Sequence, residues 1–304
     1  MPLKKRINDA LLKTTGYELR KAEPDSPVRA RPSSEKRRRS RYETRPGDRL
    51  VEAPVFVLCT LRSGSTLLRV LLNSHSKIHA PHELHLRYTA ARLEKKWSRK
   101  TMTAMGLDEP ALTYLLWDRI LHRELTASGK EIIVDKTPNN VFMPDRIRDC
   151  WPEARFIFLL RHPAAVAASR REWLGPNPDD EKNVERIRQY CEALEEARRA
   201  YDGLTVRYED TTEDPATVTR RLCEFLDVEW EPEMVEYGKF DHGPYRPALG
   251  DWSKNIQSGQ VQKPKPPPPE IPAPLRPVSE AWGYAGTPSS ANSSSHIGPT
   301  SSIR

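Results

Sequence analysis

From Val51 onward, apolar residues gather in short continuous runs, with longer stretches of helical spacing between them. Val55-Phe56-Val57-Leu58-Cys59 is the first such run. It is rich in β-formers and has no polar face, as expected of a strand covered on both sides. Glu131–Asp135, Arg155–Arg161 and Leu204–Tyr208 repeat the pattern. Helical spacing fills the gaps, over roughly 107–127, 139–149, 163–173, 181–201 and 214–226. Strands that alternate with helices predict an α/β fold, with a central parallel sheet flanked by helices in three layers and right-handed crossovers.

The ends of the chain read differently. Leu3, Ile7, Ala10 and Leu11 form an apolar stripe among Lys4, Lys5, Arg6 and Lys13, so 1–21 is a candidate amphipathic helix. Residues 22–50 are basic and poor in apolar groups, a pattern of disorder. The folded domain is expected over 51–285. It includes an extended Pro-rich stretch, 263–274, and a following segment, 275–284, that could dock back on it. Residues 286–304 are rich in Ser, Thr and Gly and read as a disordered tail.

Charge sharpens this division. The first fifty residues hold 15 Lys and Arg against 7 Asp and Glu, which leaves +8 there and −1 on the other 254 residues of a chain with net charge +7. A basic arm on a near-neutral body argues against a protein built around nucleic acid. The arm suits contact with an anionic membrane surface. No apolar run approaches the length of a membrane span, and no signal-peptide core follows the first lysines. The expected location is the cytoplasm, with peripheral contact at the inner membrane surface. Cys59, Cys150, Cys191 and Cys223 lie far apart in apolar contexts and read as buried thiols.

The first strand candidate runs into Arg62-Ser63-Gly64-Ser65-Thr66-Leu67, and a helix follows. A strand–loop–helix joint at the carboxyl edge of a parallel sheet gathers backbone N–H groups around an anion. The loop lacks the Gly and Lys of a nucleotide P-loop and offers Arg62 and hydroxyls instead. Arg161, at the end of another strand candidate, and Ser169, two helical turns later, could grip a second phosphate. His75, His79, His82 and His85 cluster in sequence, but His82-Glu83-Leu84-His85 lacks the i, i+4 spacing of a zinc hydrolase and Pro81 interrupts any helix, so no metal is expected.

Taken in order, these motifs resemble the P-loop-related sulfotransferases, in the branch that includes bacterial enzymes and tyrosylprotein sulfotransferases. The resemblance spans about 54–260. It rests on Arg62–Leu68, on Arg161-His162-Pro163 with Ser169, on Val206–Asp210 with the helix after it, and on Gly250–Lys254 with Ser258-Gly259. It implies transfer of a sulfuryl group from 3′-phosphoadenosine 5′-phosphosulfate to an acceptor hydroxyl on a carbohydrate, glycolipid or small metabolite. By the same resemblance Glu83 is the general base, Lys136 and Arg62 stabilise the transferring group, and Tyr208 contacts adenine. Ser63, Gly64, Ser65, Thr66, Leu67, Arg161, Ser169, Lys254, Ser258 and Gly259 complete the expected donor site.

The sequence departs from the family pattern at Leu61, where proline is usual, and at Gln260, where a basic residue is common. Residues 84–130 and 170–190, with Trp97, Trp117 and Trp173, are expected to line the acceptor pocket. The competing readings are a kinase-like phosphotransferase on the same fold and a non-catalytic protein that binds through its basic arm.

Overall fold

The computed structural model describes residues 49–244 and 254–284. The expected helix over 1–21, the linker up to residue 48, Gly250–Ser253 and the tail 286–304 lie outside the described residues.

Five parallel strands form one sheet: β1 (Val55–Cys59), β2 (Ile78–His79), β3 (Ile132–Asp135), β4 (Arg155–Leu160) and β5 (Gly203–Arg207), in the order β2-β3-β1-β4-β5. β1 is central, pairing Val55 with Val134 of β3 and with Arg155 of β4. The period of two along β1 decides the layers. Phe56 and Leu58 point to one face, where Trp151, Tyr190 and Leu194 cover them. Val55, Val57 and Cys59 point to the other, against Leu68, Leu72 and Leu222. Full burial of both faces explains why the strands read as unbroken apolar runs.

The helices are α1 (Ser65–Asn73), α2 (Lys96–Ala104), α3 (Glu109–Ser128), α4 (Pro144–Cys150), α5 (Pro163–Leu174), α6 (Asp180–Ala200), α7 (Tyr208–Glu213), α8 (Pro215–Phe225), α9 (Lys254–Gln257) and α10 (Arg276–Ala281). Their starts follow local chemistry. Asp108, Asp179 and Asp214 each accept a backbone N–H two or three residues into the helix they precede. Pro163 opens α5 and ends β4 at Leu160, so Arg161 stands outside the ladder. Tyr208 likewise opens α7 and does not close β5. The helix expected over 214–226 begins as foreseen, after the separate short turn α7.

After the Pro-rich stretch the chain returns to the body. Leu275, Val278 and Trp282 are buried beside α6, and the Trp282 indole donates to Glu195 at 2.9 Å. Among the elements with no signal in the sequence are β2, only two residues long, and α2, which buries none of its residues. Trp117 corrects an expectation. It is fully buried in the core, with its indole donating to the Thr89 carbonyl, and does not line a pocket. Trp97 and Trp173 are instead 74% and 56% exposed. Among the described residues no helix is long and apolar enough to cross a membrane.

Candidate active site

Because all five strands run in the same direction, their carboxyl ends share one edge of the sheet. Each strand delivers a polar group there. The Arg62–Thr66 loop follows β1, Glu83 follows β2, Lys136 follows β3, Arg161 follows β4, and Tyr208 follows β5.

The loop after β1 is a tight reversal. Arg62 and Gly64 both take the left-handed backbone conformation, at φ 59° and 82°. The Ser63 hydroxyl donates to the Thr60 carbonyl at 2.8 Å and holds the turn from inside. Gly64 is the N-cap of α1 and brings no capping side chain, so no side chain of its own covers the first-turn N–H groups. Ser65 and Thr66 are buried at that turn.

Arg161 braces this loop. Its Nη1 donates to the Arg62 carbonyl at 2.7 Å, and its guanidinium lies 4.3 Å from the centre of the Tyr208 ring. Burial draws its pKa below the ordinary arginine value, while Tyr208 and Glu209 pull the other way. The two anion sites expected at Arg62 and Arg161 thus share a backbone contact. Ser169 is half-buried in α5.

Lys136 and Glu83 meet directly. The Lys136 ammonium donates to Oε1 of Glu83, and Lys136 is almost wholly buried. The other carboxylate oxygen lies 3.5 Å from Nε2 of His85, whose ring is 42% exposed. Thr137 fixes the backbone between them: its Oγ1 accepts the N–H groups of Leu84 and His85 at 3.1 and 3.4 Å and donates to Asp135 at 2.8 Å. His85 has a left-handed backbone, φ 51°, which is uncommon for a side-chain-bearing residue.

Cys59 ties the two halves of the site together. Burial pushes its thiol up to about 11, opposed by the nearby Lys136 charge and by hydrogen bonds with Ser65 and Ser63. The Lys136–Glu83 pair and the β1 loop therefore flank the same buried sulfur.

On the far side of α1, Ile256 packs with Leu67, Leu71 and Tyr237, and Tyr208 and Val261 join this cluster. The Ser258 hydroxyl donates to the Asn255 carbonyl at 2.6 Å, inside its own turn. Gly259 approaches Gly238 so closely that a Cβ on Gly238 would lie 2.6 Å from the Gly259 Cα. Lys254 opens α9.

A clamp beside Arg161 has no signal in the sequence. Glu209 accepts from the His162 N–H at 3.0 Å and from the Tyr284 hydroxyl at 2.6 Å. Burial beside Glu209 pushes the Tyr284 phenol well above its ordinary range. Tyr284 stands 75 residues after Glu209, and a separation of that size leaves no local pattern. A cavity of about 340 Å³ opens at the opposite, amino edge of the sheet, lined by Val51, Val55, Ile132, Arg155 and Leu226. It contains none of these polar groups.

A family model described as the sulfotransferase family matches residues 54–232. The chain belongs to the sulfotransferase family. An uncharacterized protein of Aquifex aeolicus is 26% identical over 242 residues, covering 69% of this chain and 30% of that protein. The protein-tyrosine sulfotransferase of Drosophila melanogaster is 23% identical over 224 residues, covering 69% of this chain and 44% of that protein. The chain thus spans less than half the length of these relatives. The sulfotransferase domain from the curacin biosynthetic pathway shares the fold at a TM-score of 0.56, with 22% identity, over 78% of this chain and 99% of that one.

Proposed function

We propose that this sulfotransferase-family chain transfers a sulfuryl group from 3′-phosphoadenosine 5′-phosphosulfate to the hydroxyl of a carbohydrate, glycolipid or small metabolite. The observation that carries the reading is the Lys136–Glu83 contact, beside the Arg62–Thr66 loop at the sheet's carboxyl edge. A carboxylate and a buried ammonium from neighbouring strands meet where a cationic, hydroxyl-rich loop can hold an anion. The donor set is arginine, lysine, serine and threonine, and it fits a phosphosulfate.

Bound donor would supply an activated sulfur and a phosphate leaving group. The protein's part is alignment, proton removal and charge stabilisation. As the acceptor oxygen bonds to sulfur, its proton passes to a Glu83 carboxylate oxygen. The bond between sulfur and the bridging phosphate oxygen breaks with its electron pair on that oxygen. Lys136, Arg62 and the α1 N–H groups face the resulting negative charge. Arg161 and Ser169 hold the 3′-phosphate, so binding energy far from the reacting atoms favours this donor. Glu83 must then lose its proton, and His85, half open to solvent against the second carboxylate oxygen, is the adjacent acceptor.

The test is release of adenosine 3′,5′-bisphosphate from the sulfate donor against a panel of sugars, glycolipids and phenols. Acceptor-dependent release supports the reading. Phosphoryl transfer from ATP with no sulfuryl transfer would replace it with the kinase-like alternative.

A further inference from the structure

Helix α2 is an anomaly in an otherwise well-packed body. A nine-residue helix is unstable alone in water, and helices in proteins persist mainly by burying a stripe. α2 has no buried residue, yet it carries Trp97, 74% exposed, and is followed by Met105, 58% exposed.

At about 100° per residue, Trp97, Thr101, Ala104 and Met105 share one side of the helix. Ser98 and Met102 are half-buried and turn toward the body. Lys96 and Lys100 are exposed along the flank away from Met102, and Lys95 is the exposed, extended residue just before the first turn. Arg99 is tied back, donating to the Leu93 carbonyl at 2.8 Å and lying 4.0 Å from Glu109. No Asp or Glu occurs from Lys95 to Leu107.

The geometry points to α2 as a membrane-surface element that lies in the headgroup layer of an anionic bilayer. Trp97 and Met105 enter the boundary between headgroups and acyl chains, and Lys96 and Lys100 meet lipid phosphates. Charge complementarity selects the partner, since a run of cations without a carboxylate calls for an anionic surface. The indole narrows it further, because tryptophan favours the boundary between an apolar phase and water. A short helix with apolar residues outward and flexible lysines beside them is the arrangement of an interfacial helix. This inference stands independently of the reaction the chain performs.

The test uses the full chain and vesicles of phosphatidylcholine with or without phosphatidylserine. Wild type should pellet with the anionic vesicles at low salt, and not with neutral ones. Each lysine near such a surface is worth about fivefold in partitioning. Lys96→Glu with Lys100→Glu should therefore weaken pelleting by about 25-fold or more, with an unchanged circular dichroism spectrum. Brominated acyl chains should quench wild-type tryptophan fluorescence, and Trp97→Phe should remove most of that quenching while pelleting persists. Pelleting that is equal for wild type and the double variant would place the contact elsewhere, for instance in the basic first fifty residues, and overturn the inference. So would wild type that stays in the supernatant, or that binds polyglutamate more tightly than the anionic vesicles.

Discussion

A Cβ on Gly64 would lie 2.1 Å from Cδ2 of Tyr208. The residue that caps α1 and the residue that opens α7 are therefore in contact across the sheet edge, with the Arg161 guanidinium on the tyrosine ring. Gly64 also holds φ 82°, which a side chain disfavours. Gly64→Ala should displace Tyr208 and weaken binding of adenosine 3′,5′-bisphosphate by about tenfold or more, at a stability cost of about 1–3 kcal/mol. Calorimetry and urea denaturation measure the two effects separately. An unchanged affinity would remove the loop from the donor site.

Glu83→Gln should retain nucleotide affinity and lower kcat by about 10²–10⁴, the usual contribution of a general base. His85→Ala should lower kcat less, and imidazole in the buffer should restore part of the loss. Imidazole should not rescue Glu83→Gln. If His85→Ala keeps wild-type kcat, the proton leaves Glu83 by another route.

Arg161→Ala removes both a cation and the strut on the Arg62 carbonyl. Affinities for adenosine 3′,5′-bisphosphate and adenosine 5′-monophosphate should converge in this variant. A wild-type preference for the bisphosphate that survives would show that Arg161 does not hold the 3′-phosphate.

The strands with both faces buried could be read from the sequence because burial on two sides removes polar positions, as in Val55–Cys59. The Arg62–Thr66 loop was equally legible, since its chemistry is local. β2 was not, because two residues cannot show a period. α2 was hidden for the opposite reason: no buried face selects an apolar stripe. Trp117 looked like a pocket residue, and only the packing of α3 reveals it as core. Glu83 and Lys136 stand out in the sequence only through family resemblance, whereas their direct contact is a product of neighbouring strands. Thr137 and Tyr284 act through long-range hydrogen bonds that no sequence spacing announces.

All four cysteines are buried free thiols. Burial pushes Cys59 and Cys223 up from 9.0 to about 11, and pushes Cys150 and Cys191 higher still. A disulfide reagent at pH 8 should label none of them in the native protein and all four in guanidinium. Unfolded thiols ionise near pH 9 and folded ones only near 11 or above, so the unfolded state binds fewer protons across that window. The thiol contribution is fully present below pH 9 and declines as pH rises toward 11. Tyr114, Tyr190 and Tyr284, raised by burial, and Lys182, raised by its contact with Asp179, act in the same sense as the thiols, and Lys130, whose pKa burial lowers, acts in the opposite one. The urea midpoint should therefore be lower at pH 10.5 than at pH 8. A midpoint that rises would contradict burial of the thiols.

We propose that the Arg62 loop and Arg161 form a site for a 3′-phosphorylated adenine nucleotide. Titration calorimetry of adenosine 3′,5′-bisphosphate against ADP, each with EDTA and with Mg²⁺, tests it most directly. The bisphosphate should bind about tenfold or more tightly than ADP, consistent with charge-assisted hydrogen bonds worth ~1.5–3 kcal/mol to the 3′-phosphate, which ADP lacks. Mg²⁺ should leave that ratio unchanged. Tighter binding of ADP, and only with Mg²⁺, would show that the loop holds a metal-bound nucleoside diphosphate and not a 3′-phosphorylated nucleotide.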